Sequence, residues 1–230
     1  MKTIGLLGGM SWESTAEYYR MINEAVNERL GGLHSADMVI YSVDFDDIER
    51  LQHEGEWAQL TEKMVSGALR LQNAGAHFLV IATNTMHMMA DEVERRMSIP
   101  LLHIADATAE EIKKRGIETA GLLGTRFTME EDFYKGRLIK RHGLQVLIPV
   151  QEQREMIHGV IYEELCRGIV NDASKRSYHR VVEDLASQGA QGIILGCTEI
   201  GLLIQQEETG VALFDTAEIH ARKAVDWALG

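Results

Sequence analysis

Cys197 stands where the apolar run GIILG gives way to polar Thr198 and Glu199. A thiol at a strand end and helix N-terminus has its thiolate stabilised by the helix dipole, which makes Cys197 a candidate base for proton removal. The competing role is that of a buried, inert small hydrophobe, and the polar flank argues for the reactive one. Cys166 lies inside the helical stretch VIYEELCRGIV, where packing accounts for it. Thr83 follows the run FLVIA as Cys197 follows GIILG. Its hydroxyl suits either a turn or helix cap or a proton-handling site. Asn84 and Thr85 beside it can donate to a substrate carboxylate or cap the next turn.

Eight short apolar runs alternate with longer amphipathic stretches: TIGLLG, MVIYSV, FLVIA, PLLHI, TAGLLG, LQVLIPV, GIILG and VALFD. They read as buried parallel strands separated by helices, an α/β architecture with helices on both sheet faces. Ser11 or Ser14 caps the helix through WESTAEYYRMINEAVNERL, and Gly31 and Gly32 end it. Ligands of open parallel sheets bind beyond the carboxyl ends of strands. Four segments fall there: Gly8-Gly9-Met10-Ser11, Thr83-Asn84-Thr85, Gly124-Thr125 and Cys197-Thr198-Glu199. Each joins small or hydroxyl residues to an expected helix start, whose N–H groups can hold a carboxylate. The glycine spacing is neither G-x-G-x-x-G nor a P-loop, which argues against a dinucleotide.

The chain looks duplicated. TIGLLG and TAGLLG are 116 positions apart, as are Tyr18 and Tyr134, whereas Gly75-Ala76 and Thr83 precede Gly189-Ala190 and Cys197 by 114. The expected fold is two pseudo-symmetric lobes, each a mostly parallel sheet flanked by helices, with the active site in the cleft between them. A pseudo-twofold would bring Thr83 to face Cys197 there. The expected boundaries are residues 1–97 plus 210–230 for the first lobe and 98–209 for the second, with VALFD and the final helix crossing back to complete the first.

Thirty-five acidic against 23 basic residues leave a net charge of -12, and no basic patch interrupts it, which argues against nucleic-acid or anionic-membrane partners. No targeting signal or spanning segment is evident, and two cysteines make no disulfide framework, so a cytoplasmic protein with reduced thiols is expected. The nine histidines are scattered, and no metal site is expected. No lysine follows a strand end as Cys197 does, which argues against a pyridoxal Schiff base.

GLLGGMSWEST, GAHFLVIATNTMH, IPLLHIADATAEE and GAQGIILGCTEIGLLI together resemble the aspartate/glutamate racemase family over nearly the whole chain. The resemblance implies two similar α/β lobes and interconversion of L- and D-amino acids without pyridoxal phosphate, other cofactor or metal. One cysteine from each lobe serves in the family, a thiolate removing the α-proton and the opposite thiol returning one. Cys197 matches the second, and serves the L-enantiomer. The first falls on Thr83, in Thr83-Asn84-Thr85, where the family reads cysteine-asparagine-threonine. A hydroxyl is far less acidic than a thiol, so Thr83 should be a poor base that holds or relays a proton through water.

Carried over in the same way, Met10, Gln52, Asn84, Thr85 and Thr198 are candidate substrate contacts. The family grips a side-chain carboxylate with basic residues. Arg50, Gln52 and Arg167 lie near those places without a clean match, and Cys166 occupies the place of a basic residue. The expected partner is therefore a small-molecule amino acid, acidic or from a broad range including neutral ones, and a homodimer fits the family habit. The alternatives are a catalytically weakened amino-acid-binding protein, or a decarboxylase or hydantoin racemase of the same superfamily.

Overall fold

The computed structural model describes all 230 residues. They form two compact units, Met1–His103 with His220–Gly230, and Ile104–Ile219. In the first unit the chain runs β1 (Ile4–Gly8), α1 (Trp12–Leu30), β2 (Met38–Ser42), α2 (Phe45–Glu54), α3 (Trp57–Asn73), β3 (Phe78–Ile81), α4 (Ala90–Arg96) and β4 (Leu101–Leu102). The second holds α5 (Ile104–Lys114), β5 (Thr119–Gly124), α6 (Arg126–Glu130), α7 (Lys135–His142), β6 (Gln145–Leu147), α8 (Gln151–Glu163), α9 (Asp172–Ser187), β7 (Gly192–Gly196) and β8 (Ala212–Asp215). Helix α10 (Thr216–Leu229) starts in the second unit and ends in the first. No helix is long and apolar enough to cross a membrane.

All eight apolar runs contain strands, and the two sheets have the same strand connectivity. The sheet orders are β2-β1-β3-β4 and β6-β5-β7-β8, with every neighbouring pair parallel. The central strands β1, β3, β5 and β7 are buried nearly throughout, as strands covered on both faces must be. Leu6, Val80, Leu122 and Ile193 are each fully buried, and each contributes about 1.5–3 kcal/mol of hydrophobic stabilisation.

Turn chemistry sets where the strands stop. The Ser11 hydroxyl accepts from the Ser14 N–H at 3.4 Å and caps α1, and Gly31 closes that helix. Gly9 adopts φ of 92°, and a Cβ on it would meet the Val43 carbonyl oxygen at 2.2 Å, so no other residue fits the turn after β1.

One expected allegiance is wrong. VALFD does not return to the first sheet; its strand β8 pairs with β7, Ile193 opposite Leu213 and Ile194 opposite Phe214. Only the helix beyond it crosses back. Thr216 Oγ1 donates to the Leu195 carbonyl at 2.8 Å and Asp215 accepts from the Ala217 N–H, which hold the first turn of α10 in the second unit. Further along, Trp227 packs on Phe78 with ring centroids 5.5 Å apart, the Ala228 carbonyl accepts from the Lys2 N–H at 2.8 Å and Asp226 pairs with Arg29 at 2.6 Å. The exchange points thus fall at 103/104 and 219/220, later than the expected 97/98 and 209/210, because an edge strand goes wherever its ladder partners are.

Candidate active site

In the second unit, β5 and β7 end side by side. A Cβ on Gly196 would stand 2.7 Å from the Leu123 carbonyl oxygen, and one on Gly124 would stand 2.9 Å from that of Gly196, so glycine at both positions permits the close approach. Cys197 comes next in the chain, partly accessible and packed against the core. Its Sγ–H donates to Glu199 Oε2 at 2.9 Å, and Thr198 Oγ1 donates to the same oxygen at 2.7 Å. Glu199 is buried.

The helix dipole expected at this thiol is missing. Beyond Cys197 the chain makes a one-turn 3₁₀ helix, Ile200–Leu202, too short to build an appreciable dipole. Burial, with the negative charge of Glu199 adding to it, pushes the thiol well above the ordinary cysteine range. Cys197 therefore rests as a thiol hydrogen-bonded to a carboxylate. The arrangement is chemically useful because a proton acceptor lies within reach of Sγ. Thr83-Asn84-Thr85 likewise leads into a 3₁₀ turn, Thr85–Met89, and Thr125 caps only the five-residue α6, so Ser11 alone of the four segments opens a long helix.

In the first unit, the Ala82 N–H donates to the Leu7 carbonyl at 2.9 Å, continuing the β1–β3 ladder up to Thr83. Thr83 is partly accessible, whereas Met10, Asn84 and Thr85 are buried at the same carboxyl edge. The Thr83 N–H donates to the Ile81 carbonyl at 2.9 Å, and the Thr83 carbonyl lies 2.8 Å from His87 Nδ1. A carbonyl only accepts, so Nδ1 carries the proton. Gln52 is buried on α2. Arg50 is exposed and pairs with Glu54 at 3.0 Å and Asp47 at 3.5 Å, so its charge is already matched.

Three of the scattered histidines come together beneath this edge. The His87 ring centroid lies 4.6 Å from that of His103 and 5.8 Å from that of His220, and all three side chains are buried. His220 Nε2 donates to the Leu102 carbonyl at 2.9 Å, so its Nδ1 accepts from the Tyr18 hydroxyl at 3.0 Å. Burial, with His87 adding to it, pushes His220 down to about 3, and the ring is neutral near pH 7.

Residues 7–224 match the family model of the Asp/Glu/hydantoin racemases. The chain belongs to that family. This racemase-family protein shares 53% identity with a candidate Asp/Glu racemase of Yersinia pestis whose crystal structure it matches over 100% of both chains, with a TM-score of 0.94. It is 38% identical to an aspartate racemase homologue from Pyrococcus horikoshii, again over 100% of both chains, with a TM-score of 0.87. A broad specificity amino-acid racemase of Bacillus subtilis, RacX, is 23% identical over 96% of each chain.

Within the racemase-family protein, Met10, Thr83, Asn84 and Thr85 share the carboxyl edge of the first sheet, Cys197 and Thr198 that of the second, and Gln52 is buried on α2. Sequence reasoning missed Glu199 as the partner of Cys197. Its signal was present in the same polar triplet, but residues two apart do not face each other on the regular helix expected to start there.

Proposed function

We propose that the protein is an amino-acid racemase in which Cys197 and Glu199 work one face of the substrate α-carbon and Thr83 the other, with no call on pyridoxal phosphate. The contact of Cys197 Sγ with Glu199 Oε2 at 2.9 Å carries the reading. Glu199 takes the thiol proton, and the thiolate so formed removes the α-proton of an L-amino acid. The carbanion then accepts a proton on its opposite face from the Thr83 hydroxyl or a water it holds. Met10, Gln52, Asn84, Thr85 and Thr198 are the proposed substrate contacts, with buried amide and hydroxyl groups positioning the zwitterion. The substrate is an acidic amino acid or one of a broad range including neutral ones. Arg50, paired with Asp47 and Glu54, offers no idle cation to demand a second carboxylate, and a relative with broad specificity favours the wider range.

Threonine does not make such an enzyme one-way. The enantiomers have equal free energy in water, so kcat/KM must be equal in the two directions, whatever residue 83 is. The asymmetry belongs to proton exchange, fast on the Cys197 face and slow on the Thr83 face. Incubating L- and D-amino acids in D₂O, with α-proton loss followed by NMR and inversion by optical rotation, tests the reading. The expected result is deuteration of L-substrates that outpaces inversion and disappears in Cys197→Ser. Thermal stabilisation by amino acids with no deuteration of any of them would instead identify a binding protein.

A further inference from the structure

The carbonyl of Thr83 takes its hydrogen bond from an unusual donor. Were residues 83–89 an α-helix, that oxygen would accept from the main-chain N–H of His87. The segment tightens into a 3₁₀ turn instead, and the His87 N–H goes one residue short, to the Asn84 carbonyl at 3.1 Å. The His87 side chain makes the bond its main chain does not, Nδ1–H to the Thr83 oxygen at 2.8 Å. With the Thr83 N–H held by Ile81, both backbone groups of the residue are fixed inside the loop. The hydroxyl is then the polar group Thr83 has left to offer.

The ring making this bond is itself immobilised. His87 is 2% exposed, and its neighbour rings are His103 and His220. His220 is tied at both nitrogens, to Leu102 on β4 and to Tyr18 on α1. Burying three imidazoles in place of leucines forgoes hydrophobic stabilisation and demands a partner for every ring nitrogen. A core that needs only packing gains nothing from such an arrangement. A loop that must hold one peptide plane to within a fraction of an ångström does, because an acid displaced by 1 Å from its proton-transfer geometry can lose about a hundredfold in rate.

We propose that His87 is a positioning residue, its Nδ1–H bond to the Thr83 carbonyl and its packing against His103 and His220 fixing the peptide that presents the Thr83 hydroxyl to the substrate. The kinetic part of this assignment rests on the racemase reading; the hold of His87 on the loop does not. Two substitutions separate donor from volume. His87→Leu keeps bulk and loses the donor, and His87→Asn returns an amide donor close to the place of Nδ1.

Amide hydrogen exchange across Asn84–His87 and the D₂O assay are run together on the full chain. In His87→Leu, loop amides exchange faster and inversion of the L-substrate falls about tenfold or more, while Cys197-dependent deuteration stays within about twofold. His87→Asn recovers both readouts. An equal fall in deuteration and inversion, unrescued by asparagine, or an unchanged loop in His87→Leu, overturns the proposal. Should wild type deuterate no amino acid, the racemase reading fails alone and loop exchange still decides whether His87 holds Thr83. If His87→Leu does not fold, His87→Gln, whose amide reaches toward the Nε2 position, is the variant with a misplaced donor and is expected to behave as the leucine variant does.

Discussion

The two units share a strand order and differ in what they keep at the end of the third strand of each sheet. At β7 a thiol meets a buried carboxylate two residues on, a pair able to exchange a proton directly. At β3 a hydroxyl sits on a peptide held by the His87 imidazole, with no acid or base bonded to it. The two units agree in strand order and differ in proton inventory. Strand order is enforced by many ladder bonds and buried side chains at once, whereas the acidity of a site depends on one or two substitutions.

The largest effect should come from making the β7 end resemble the β3 end. Glu199→Gln keeps the shape and removes the acceptor, and L-substrate deuteration should fall about a hundredfold or more at neutral pH. Because burial still holds the thiol above its ordinary range in that variant, the remaining activity should climb on the alkaline side as solvent takes over deprotonation. Retained activity with an unaltered pH profile would remove Glu199 from the chemistry.

The opposite exchange, Thr83→Cys, gives the β3 end a thiol. Inversion should rise on the order of tenfold toward the rate of deuteration, since a thiol returns and removes protons more readily than a hydroxyl. A variant that deuterates L-substrate as before and inverts no faster would show that residue 83 does not limit proton return. The test needs both clocks in one tube, optical rotation and α-proton NMR.

Stability offers the contrast with the smallest bearing on turnover. The first unit buries a neutral histidine, and the second holds a partly buried carboxylate, Asp106, that accepts two bonds from Arg137 at 2.7 and 2.6 Å and one contact from His142 at 2.8 Å. Burial opposes ionisation of Asp106, but these bonds prevail and hold its carboxyl below the usual range. Below about pH 6.5 the unfolded chain protonates His220 and the folded chain does not, so stability should decline by about 1.4 kcal/mol per pH unit from this group down to about pH 3. Asp106 has the depressed carboxylate sign, with its contribution present above the unfolded value of about 4 and lost as pH falls through the folded one. Urea unfolding against pH should therefore flatten between pH 6.5 and 5 in His220→Phe. Asp106→Asn should lose about 2 kcal/mol at pH 7.

Much of the architecture was legible in the residues. Apolar runs five to seven residues long cannot be amphipathic helices, so eight strands could be read directly, and the paired offsets pointed to two similar lobes. The allegiance of β8 was not legible, because VALFD would satisfy either sheet and only ladder pairing with β7 decides. The histidine group was invisible for a related reason. Tyr18, His87, His103 and His220 lie on four separate segments, and no periodicity links residues gathered by tertiary folding. The thiol's acidity was misjudged because a strand end implied a helix, and the chain supplies one 3₁₀ turn there.

The return of α10 also imposes a timetable. The second unit is one uninterrupted stretch, Ile104–Ile219, so everything it needs has been synthesised before His220 appears. The first unit begins the chain yet lacks Tyr18's partner, the clasp on Leu102 and the ring beside His87 until residues 220–230 have been made. Translation thus completes the sequence of the carboxylate-bearing half before that of the half holding Thr83, whose loop waits for residues 220–230.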